Sequence, residues 1–421
     1  MTRLAKASIG AAVALGLAVA VGAALTRGGF GARPDDLSPP TGVPEADWKA
    51  LAEGNNAFAL DLYKKLAGAK PGNLIVSPFS VTSALGMAYA GARGDTATEM
   101  ANTLHFTLPP DRLHPALGGV TRWLQSDGRR QAYEMSIANA LWTQKDLAIS
   151  PEFRDVLTKS YGSASHEADF VNDREAARLA INRDVETQTR QRVKDLLQPG
   201  DLKVITRVVL TNAVYFRGTW KDQFDKSQTR DGDFETAPGV KVTVPMMSRT
   251  KGKLLAHSNS AFTAVELPYN SGRFAMTFLL PTKRHGLQEV ERNLTAASLA
   301  EALKGLTATE WEIVVPRFKF ESRTDMGELL RDLGMRVAFT DAADFTAITP
   351  DDRLRIDKVV HLATVEVDEE GTVAAAATAV TVVATSYHEP HRVRLDQPFL
   401  FLIRDTVAGN IVFVGRYAGP K

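Results

Sequence analysis

Near its C-terminus the chain carries EEGTVAAAATAVTVVATSY, Glu369 to Tyr387, and no charged residue follows the two glutamates. The segment begins with mostly small side chains, Gly371 to Ala377, and continues β-branched, with Val380, Thr381, Val382, Val383 and Thr385. β-Branched residues favour the pleated strand over the helix. Left on a surface, an uncharged strand-prone ribbon is an aggregation hazard. A strand that enters a sheet interior must give up its solvation. Strand alternation puts Thr372, Ala374, Ala376, Thr378, Val380 and Val382 on one face. With no charge to bury, such a strand avoids a desolvation cost of several kcal/mol per ion. Gly371 supplies backbone freedom for a turn after Glu369 and Glu370.

The 421-residue chain is ordinary in composition, 44% hydrophobic and 24% charged. It has no cysteine, which excludes disulfides, thiolate metal sites and a cysteine nucleophile. Arg3 and Lys6 precede an uncharged run from Ala7 to Thr26. This is the pattern of an export signal, and its length also allows an uncleaved membrane anchor. Residues 1–27 are read as that signal or anchor, 28–47 as a Gly/Pro-rich linker, and 48–421 as one compact unit. The expected location is extracellular, secreted or anchored to the outer side of the cytoplasmic membrane. Residues 1–27 hold three basic residues and no acid; beyond them, 47 basic residues face 49 acidic ones. That balance gives no electrostatic case for nucleic acid, and none for a membrane surface beyond the N-terminal segment.

The first half reads as mainly helical. Ser77 and Pro78 form a helix start, with Val81, Leu85 and Ala88 on one face. TATE, Thr96 to Glu99, reads as a capping box, and Ala177, Ile181 and Val185 as the apolar stripe of an amphipathic helix. Strands follow: VVLTNAVYFRG, FTAVELPY, RFAMTFLLP, WEIVVPRFKFES, and a hairpin from FLFLIRD and NIVFVGRY. Helices first and strands later point to an α+β fold.

Enzyme motifs are missing. There is no G-x-S-x-G, Walker loop, G-x-G-x-x-G or H-E-x-x-H. Ser163 beside His166 is adjacency without a triad. His388 and His391 are separated by Pro390, which prevents the helix that would align them as metal ligands. No catalytic residue, metal or cofactor is expected. His361, a polar residue inside the apolar run VVHLATVEV, reads as a buried, hydrogen-bonded side chain.

Several blocks, in order, resemble the serpin family: NLIVSPFSVTSALGMAYAGARGDTATEM, LTNAVYFRGTWKDQFD, VPMM at Val244 to Met247, DEEGTVAAAA, and DQPFLFLIRD with IVFVGRYAGP. Together they cover about residues 50–420. Val373 departs from a commonly polar position, and Asp184 from one that is often aromatic. The resemblance implies three β-sheets with surrounding helices and an exposed reactive-centre loop. It implies a monomer that traps a target serine protease as a covalent acyl complex by inserting the cleaved loop into a central sheet. The hinge would be Glu369, Glu370, Gly371, Thr372, Ala374, Ala375, Ala376 and Ala377. A shutter would comprise Ser77, Ser80, Asn212 and His361, and the breach Trp220. Counting from Glu369 places the reactive bond at Thr385–Ser386; counting back from Gln397 places it at Tyr387–His388. The first suits elastase-like or subtilisin-like proteases, the second a chymotrypsin-like one. The alternative function is a non-inhibitory binding or chaperone-type member of the same family.

Overall fold

A computed structural model describes residues 40–126, 133–162, 166–250, 252–350, 353–371 and 391–420. The N-terminal apolar run lies outside these residues, as do Thr372, Ala374, Ala375, Ala376, Ala377, Thr385, Ser386, Tyr387 and His388. The chain opens with α1 (Glu45–Ala69), β1 (Leu74–Val76), α2 (Pro78–Tyr89), α3 (Gly94–Thr103) and α4 (Pro110–Gln125). Then come β2 (Tyr133–Gln144), α5 (Pro151–Val156) with a π-helical turn at Leu157–Tyr161, β3 (His166–Ala168), α6 (Arg174–Gln188) and β4 (Val208–Gly218). An antiparallel series follows, β5 (Arg230–Ala237), β6 (Val240–Arg249), β7 (Lys253–Ser258), β8 (Phe262–Pro268) and β9 (Phe274–Pro281). The last part holds α7 (Leu287–Asn293), α8 (Ala296–Lys304), β10 (Thr307–Pro316), β11 (Phe318–Asp325) and α9 (Gly327–Asp332). It ends with β12 (Lys358–Val367), β13 (His391–Arg394), β14 (Phe399–Asp405) and β15 (Ile411–Tyr417).

These strands form a five-stranded sheet, β11-β12-β4-β2-β3, and a ten-stranded sheet whose nine-strand path runs β1-β15-β14-β9-β8-β7-β10-β6-β5, with β13 on β10 as the tenth. β10 divides its pairing: Thr307–Glu310 bond β7, whereas Ile313–Pro316 bond β6. The third sheet expected from the sequence is therefore continuous with the second through one shared strand. WEIVVPRFKFES is two strands in two sheets, broken at Pro316, which has no N–H to continue a ladder.

Two readings from the sequence need correction. The first half also contains β2, a central strand, hidden by its polar Ser136 and Asn139. TATE does not cap α3, which starts at Gly94. Thr96 Oγ1 instead accepts from the Asp344 N–H at 2.9 Å, and Glu99 accepts from the Arg336 and Val337 N–H groups at 2.6 and 2.7 Å. The pair ties α3 to a distant loop. Ser77, by contrast, does cap α2, accepting from the Ser80 N–H.

Each face of the five-stranded sheet has its own cover. Val209, Ala213, Val360 and Leu362 pack with Ala177, Ile181 and Val185 of α6. On the opposite face Val214, Phe216, Ala363 and Val365 join the main core, where Phe79 of α2 also lies. Among the described residues no helix is long and apolar enough to cross a membrane.

Candidate functional site

β12 and β4 are parallel neighbours in the middle of the sheet, with Lys358 opposite Val209 and Thr364 opposite Tyr215. The β4–β12 ladder stops at Thr364–Tyr215, leaving the facing edges of Val365–Val367 and Phe216–Gly218 outside it. The sheet is thus parted at one end.

One row of polar residues crosses the sheet below that parting. Asn139 is opposite Asn212, Asn212 opposite His361, and His361 opposite Thr324. Ser77 and Ser80, at the start of α2, meet the row from beneath. The Ser77 N–H donates to His361 Nε2 at 3.1 Å. That bond fixes the tautomer: Nε2 accepts, so Nδ1–H donates to Asn212 Oδ1. Asn212 Nδ2 donates to Ser80 Oγ at 2.5 Å and to Asn139 Oδ1. Asn139 in turn donates to the Ser80 carbonyl at 3.2 Å. Ser77, Ser80, Asn212 and His361 therefore share one buried network, which satisfies polar groups that would each cost about 1–3 kcal/mol unpaired. Asn139 was not singled out in the sequence. Its signal was a polar residue at an inward position of a strand that had been read as helix country.

Burial pushes the His361 imidazole down to about 3, so it is neutral at physiological pH. Its unfolded counterpart titrates near 6.5. The native state is favoured in full above about pH 6.5, and that advantage is lost as pH falls toward 3. Acidification from pH 7 to 5 is expected to remove about 2 kcal/mol through His361. Buried His114, lowered to about 4, acts in the same direction, and Asp405, raised to about 6 by burial, in the opposite one. Comparing unfolding midpoints of the parent and His361→Gln at both pH values isolates the His361 share. An unchanged pH slope in the variant would assign that share elsewhere.

At the parted end, Asp368-Glu369-Glu370-Gly371 forms a two-residue reversal. Asp368 N–H donates to the Gly371 carbonyl at 2.9 Å, and Gly371 N–H to that of Asp368 at 3.3 Å. Gly371 then makes an antiparallel bridge to Thr219, just past β4. Its φ is +136°, and a Cβ there would lie 2.3 Å from the Gly218 oxygen; only glycine fits. Trp220 holds the reversal from beneath. It stacks on Tyr269 at 4.6 Å, its indole N–H donates to the Asp368 carbonyl at 2.9 Å, and its backbone N–H donates to that of Glu370 at 2.9 Å.

Both glutamates are engaged. Glu369 is 1% exposed, pairs with Arg317 and accepts from the Thr229 hydroxyl at 2.6 Å. Burial works to raise its carboxyl, but the guanidinium and hydroxyl hold it below its ordinary value. Glu370 pairs with Lys226. Burial pushes the Asp368 carboxyl up. Arg317, Thr229 and Lys226 carry no local motif, so sequence inspection passed over them.

The other polar candidates separate. His166 stacks on Trp142 at 4.6 Å and His391 on Trp311 at 4.9 Å, while Ser163 lies outside the described residues. Among the described residues no group of three or more potential metal ligands occurs.

A parallel strand pair parted at one end, with a reversal poised over the gap, matches a known family. The family described as Serpin (serine protease inhibitor) matches residues 53–420. The chain is a serpin. A leukocyte elastase inhibitor from Sus scrofa is 36% identical over 378 residues, which is 88% of this chain and 99% of that one. An uncharacterized serpin-like protein from Thermococcus kodakarensis is 39% identical over 382 residues, 90% and 88% of the two chains. Among solved structures, Serpin48 of the insect Tenebrio molitor has a TM-score of 0.78 and 29% identity, covering 88% of this serpin and 98% of its own chain. Human thyroxine-binding globulin has a TM-score of 0.80 at 29% identity, covering 89% and 100%. Serpins are protease inhibitors rather than catalysts, which agrees with the missing enzyme motifs.

Proposed function

We propose that this serpin is an extracytoplasmic suicide-substrate inhibitor of elastase-like or subtilisin-like serine proteases. The protease serine attacks the Thr385 carbonyl, the Thr385–Ser386 bond breaks, and the amine of Ser386 leaves with a proton. Insertion of the freed strand then carries the acyl-linked protease away before water can hydrolyse the ester. The small and medium apolar residues Val382, Val383 and Ala384 suit a shallow specificity pocket. The N-terminal basic and apolar segment supports export.

The observation that carries this reading is the Gly371–Thr219 bridge. Continued in the same register, it sets Ala374 against Phe216 and Val365, Thr378 between Asn212 and His361, and Val382 against Val208. The strand would run out where β4 begins. Thr372, Ala374, Ala376, Thr378, Val380 and Val382 would share the inward face of Asn212 and His361, and Thr378 would bring a hydroxyl to the polar row. Val373 would face outward, away from that core, so its departure from the family pattern does not obstruct entry.

Incubation with a panel of serine proteases, read by denaturing gel and mass spectrometry, tests this. A covalent adduct and a released C-terminal fragment beginning at Ser386 are expected. A fragment beginning at His388 would move the bond and indicate a chymotrypsin-like target. Cleavage without any adduct would favour the binding or chaperone-type alternative. Ala374→Arg should still be cut yet trap at least tenfold less protease, because a guanidinium between buried Phe216 and Val365 costs several kcal/mol. If this variant traps as completely as the parent, strand insertion is not the trap.

A further inference from the structure

A cavity of about 690 Å³ lies far in sequence from the loop, walled by Tyr89, Ala97, Pro110, His114, Val156 and Ser160. It opens between the end of α2, the first turns of α3 and α4, and the π-helical turn that ends α5. Its volume is that of a small-molecule site. The wall is built rather than left over. α4 and the π-helical turn touch so closely that a Cβ on Gly118 would lie 1.5 Å from the Ser160 oxygen. Arg122 donates to that same carbonyl at 2.8 Å. π-Helical turns frequently accompany functional sites.

His114 is 6% exposed, and its recorded hydrogen bond is at Nδ1, 2.8 Å from the Tyr161 hydroxyl. Among the described residues the Tyr161 hydroxyl has no other partner, so the phenol donates to Nδ1. The ring proton then sits on Nε2, which has no protein acceptor among the described residues, on a ring that lines the cavity. Burial, which lowers His114 to about 4, keeps the ring neutral. Charge around the opening is balanced. Lys159 pairs with Asp155 at 2.7 Å, and the other two charged residues of the lining, Arg93 and Asp111, are of opposite sign.

We propose that this cavity binds a neutral, largely apolar small molecule whose carbonyl oxygen accepts the His114 Nε2–H bond. The balanced opening gives no advantage to an anion or a cation. The apolar walls favour a ring system, and the His114 N–H orients it. This site is independent of protease trapping and stands whether or not the loop inserts.

The probe is the neutral naphthyl ketone dye prodan, compared with 2-dimethylaminonaphthalene, which lacks the carbonyl. Saturable one-to-one binding of prodan with a blue-shifted emission is expected. Ala97→Trp, which fills the cavity, should abolish it. His114→Phe should weaken prodan about five- to tenfold, as for one hydrogen bond, and leave the carbonyl-free dye unchanged. If His114→Phe does not fold, the imidazole NMR signals of His114 in the parent report the contact, and they should shift with prodan alone. Non-saturable binding, equal binding by folded Ala97→Trp, or His114 signals that ignore prodan overturns the proposal.

Discussion

A single nick between residues 380 and 388 is expected to raise the unfolding temperature of this serpin, although it breaks the chain. The intact loop is tied at both ends: Gly371 is bridged to Thr219, and His391 begins β13, paired with Trp311 of β10. Carrying Thr372 to Val382 down to Val208 takes a strand of about 36 Å. Residues 383–390 reach at most about 29 Å when fully extended, so they cannot return to His391 while β13 stays in place. On the proposed reading, entry of the uncut loop would require β13 to leave β10, so the intact form would persist by kinetics rather than equilibrium. Cutting removes the tether. The freed strand then bonds both β4 and β12 and buries Val380 and Val382. A net gain of about 5 kcal/mol after the ordering cost moves the midpoint by roughly 6 °C, because an unfolding entropy of about 2.1 cal/mol/K per residue over a chain of this size comes to about 0.8 kcal/mol/K. Differential scanning calorimetry before and after limited elastase digestion measures it. An equal or lower midpoint in the nicked protein would mean that the loop does not enter the sheet.

How much of this could be read from residues alone depends on whether the signal was local. β4 was legible to its ends because VVLTNAVYFRG is rich in apolar and β-branched residues and is closed by glycine. His361 stood out because one imidazole interrupts an apolar strand, and the Ser77–Pro78 helix start is written in adjacent residues. β2 was lost because Ser136 and Asn139 break its apolar pattern, although Asn139 belongs to the same row as Asn212 and His361. Thr96 and Glu99 have the right spacing for a capping box, yet tertiary partners took both side chains. The clamp on the Asp368–Gly371 reversal was illegible for a related reason. Thr229 and Glu369 are 140 positions apart, and Arg317 and Glu369 are 52 apart. Only the folded sheet brings them together.

That clamp yields the second large effect. Glu369→Lys is expected to convert much of the protein from monomer to inactive polymer or prematurely inserted species. The buried carboxylate satisfies Arg317 and the Thr229 hydroxyl at once, and the neighbouring Glu370 holds Lys226. A lysine at 369 would place a third cation beside Arg317 and Lys226 in a site that is nearly closed to water. Removing one partner of a buried pair costs about 3–5 kcal/mol, discounted here because the Arg317 side chain is 48% exposed. Reversing the charge adds repulsion to that loss. The reversal at Asp368–Gly371 would loosen, exposing the unladdered edges of Val365–Val367 and Phe216–Gly218 to any strand able to pair with them. The apolar loop of another copy is such a strand. Glu369→Gln, which keeps a hydrogen-bond acceptor without the charge, should show a milder form of the defect. Combining Glu369→Lys with Arg317→Glu should recover monomer, because the double change restores opposite charges across the same contact. Size-exclusion chromatography after mild heating distinguishes the variants. If Glu369→Lys stays as monomeric and as inhibitory as the parent, the Asp368–Gly371 reversal is held instead by backbone bonds, from the Trp220 N–H to the Glu370 carbonyl and from the Phe224 N–H to that of Glu369.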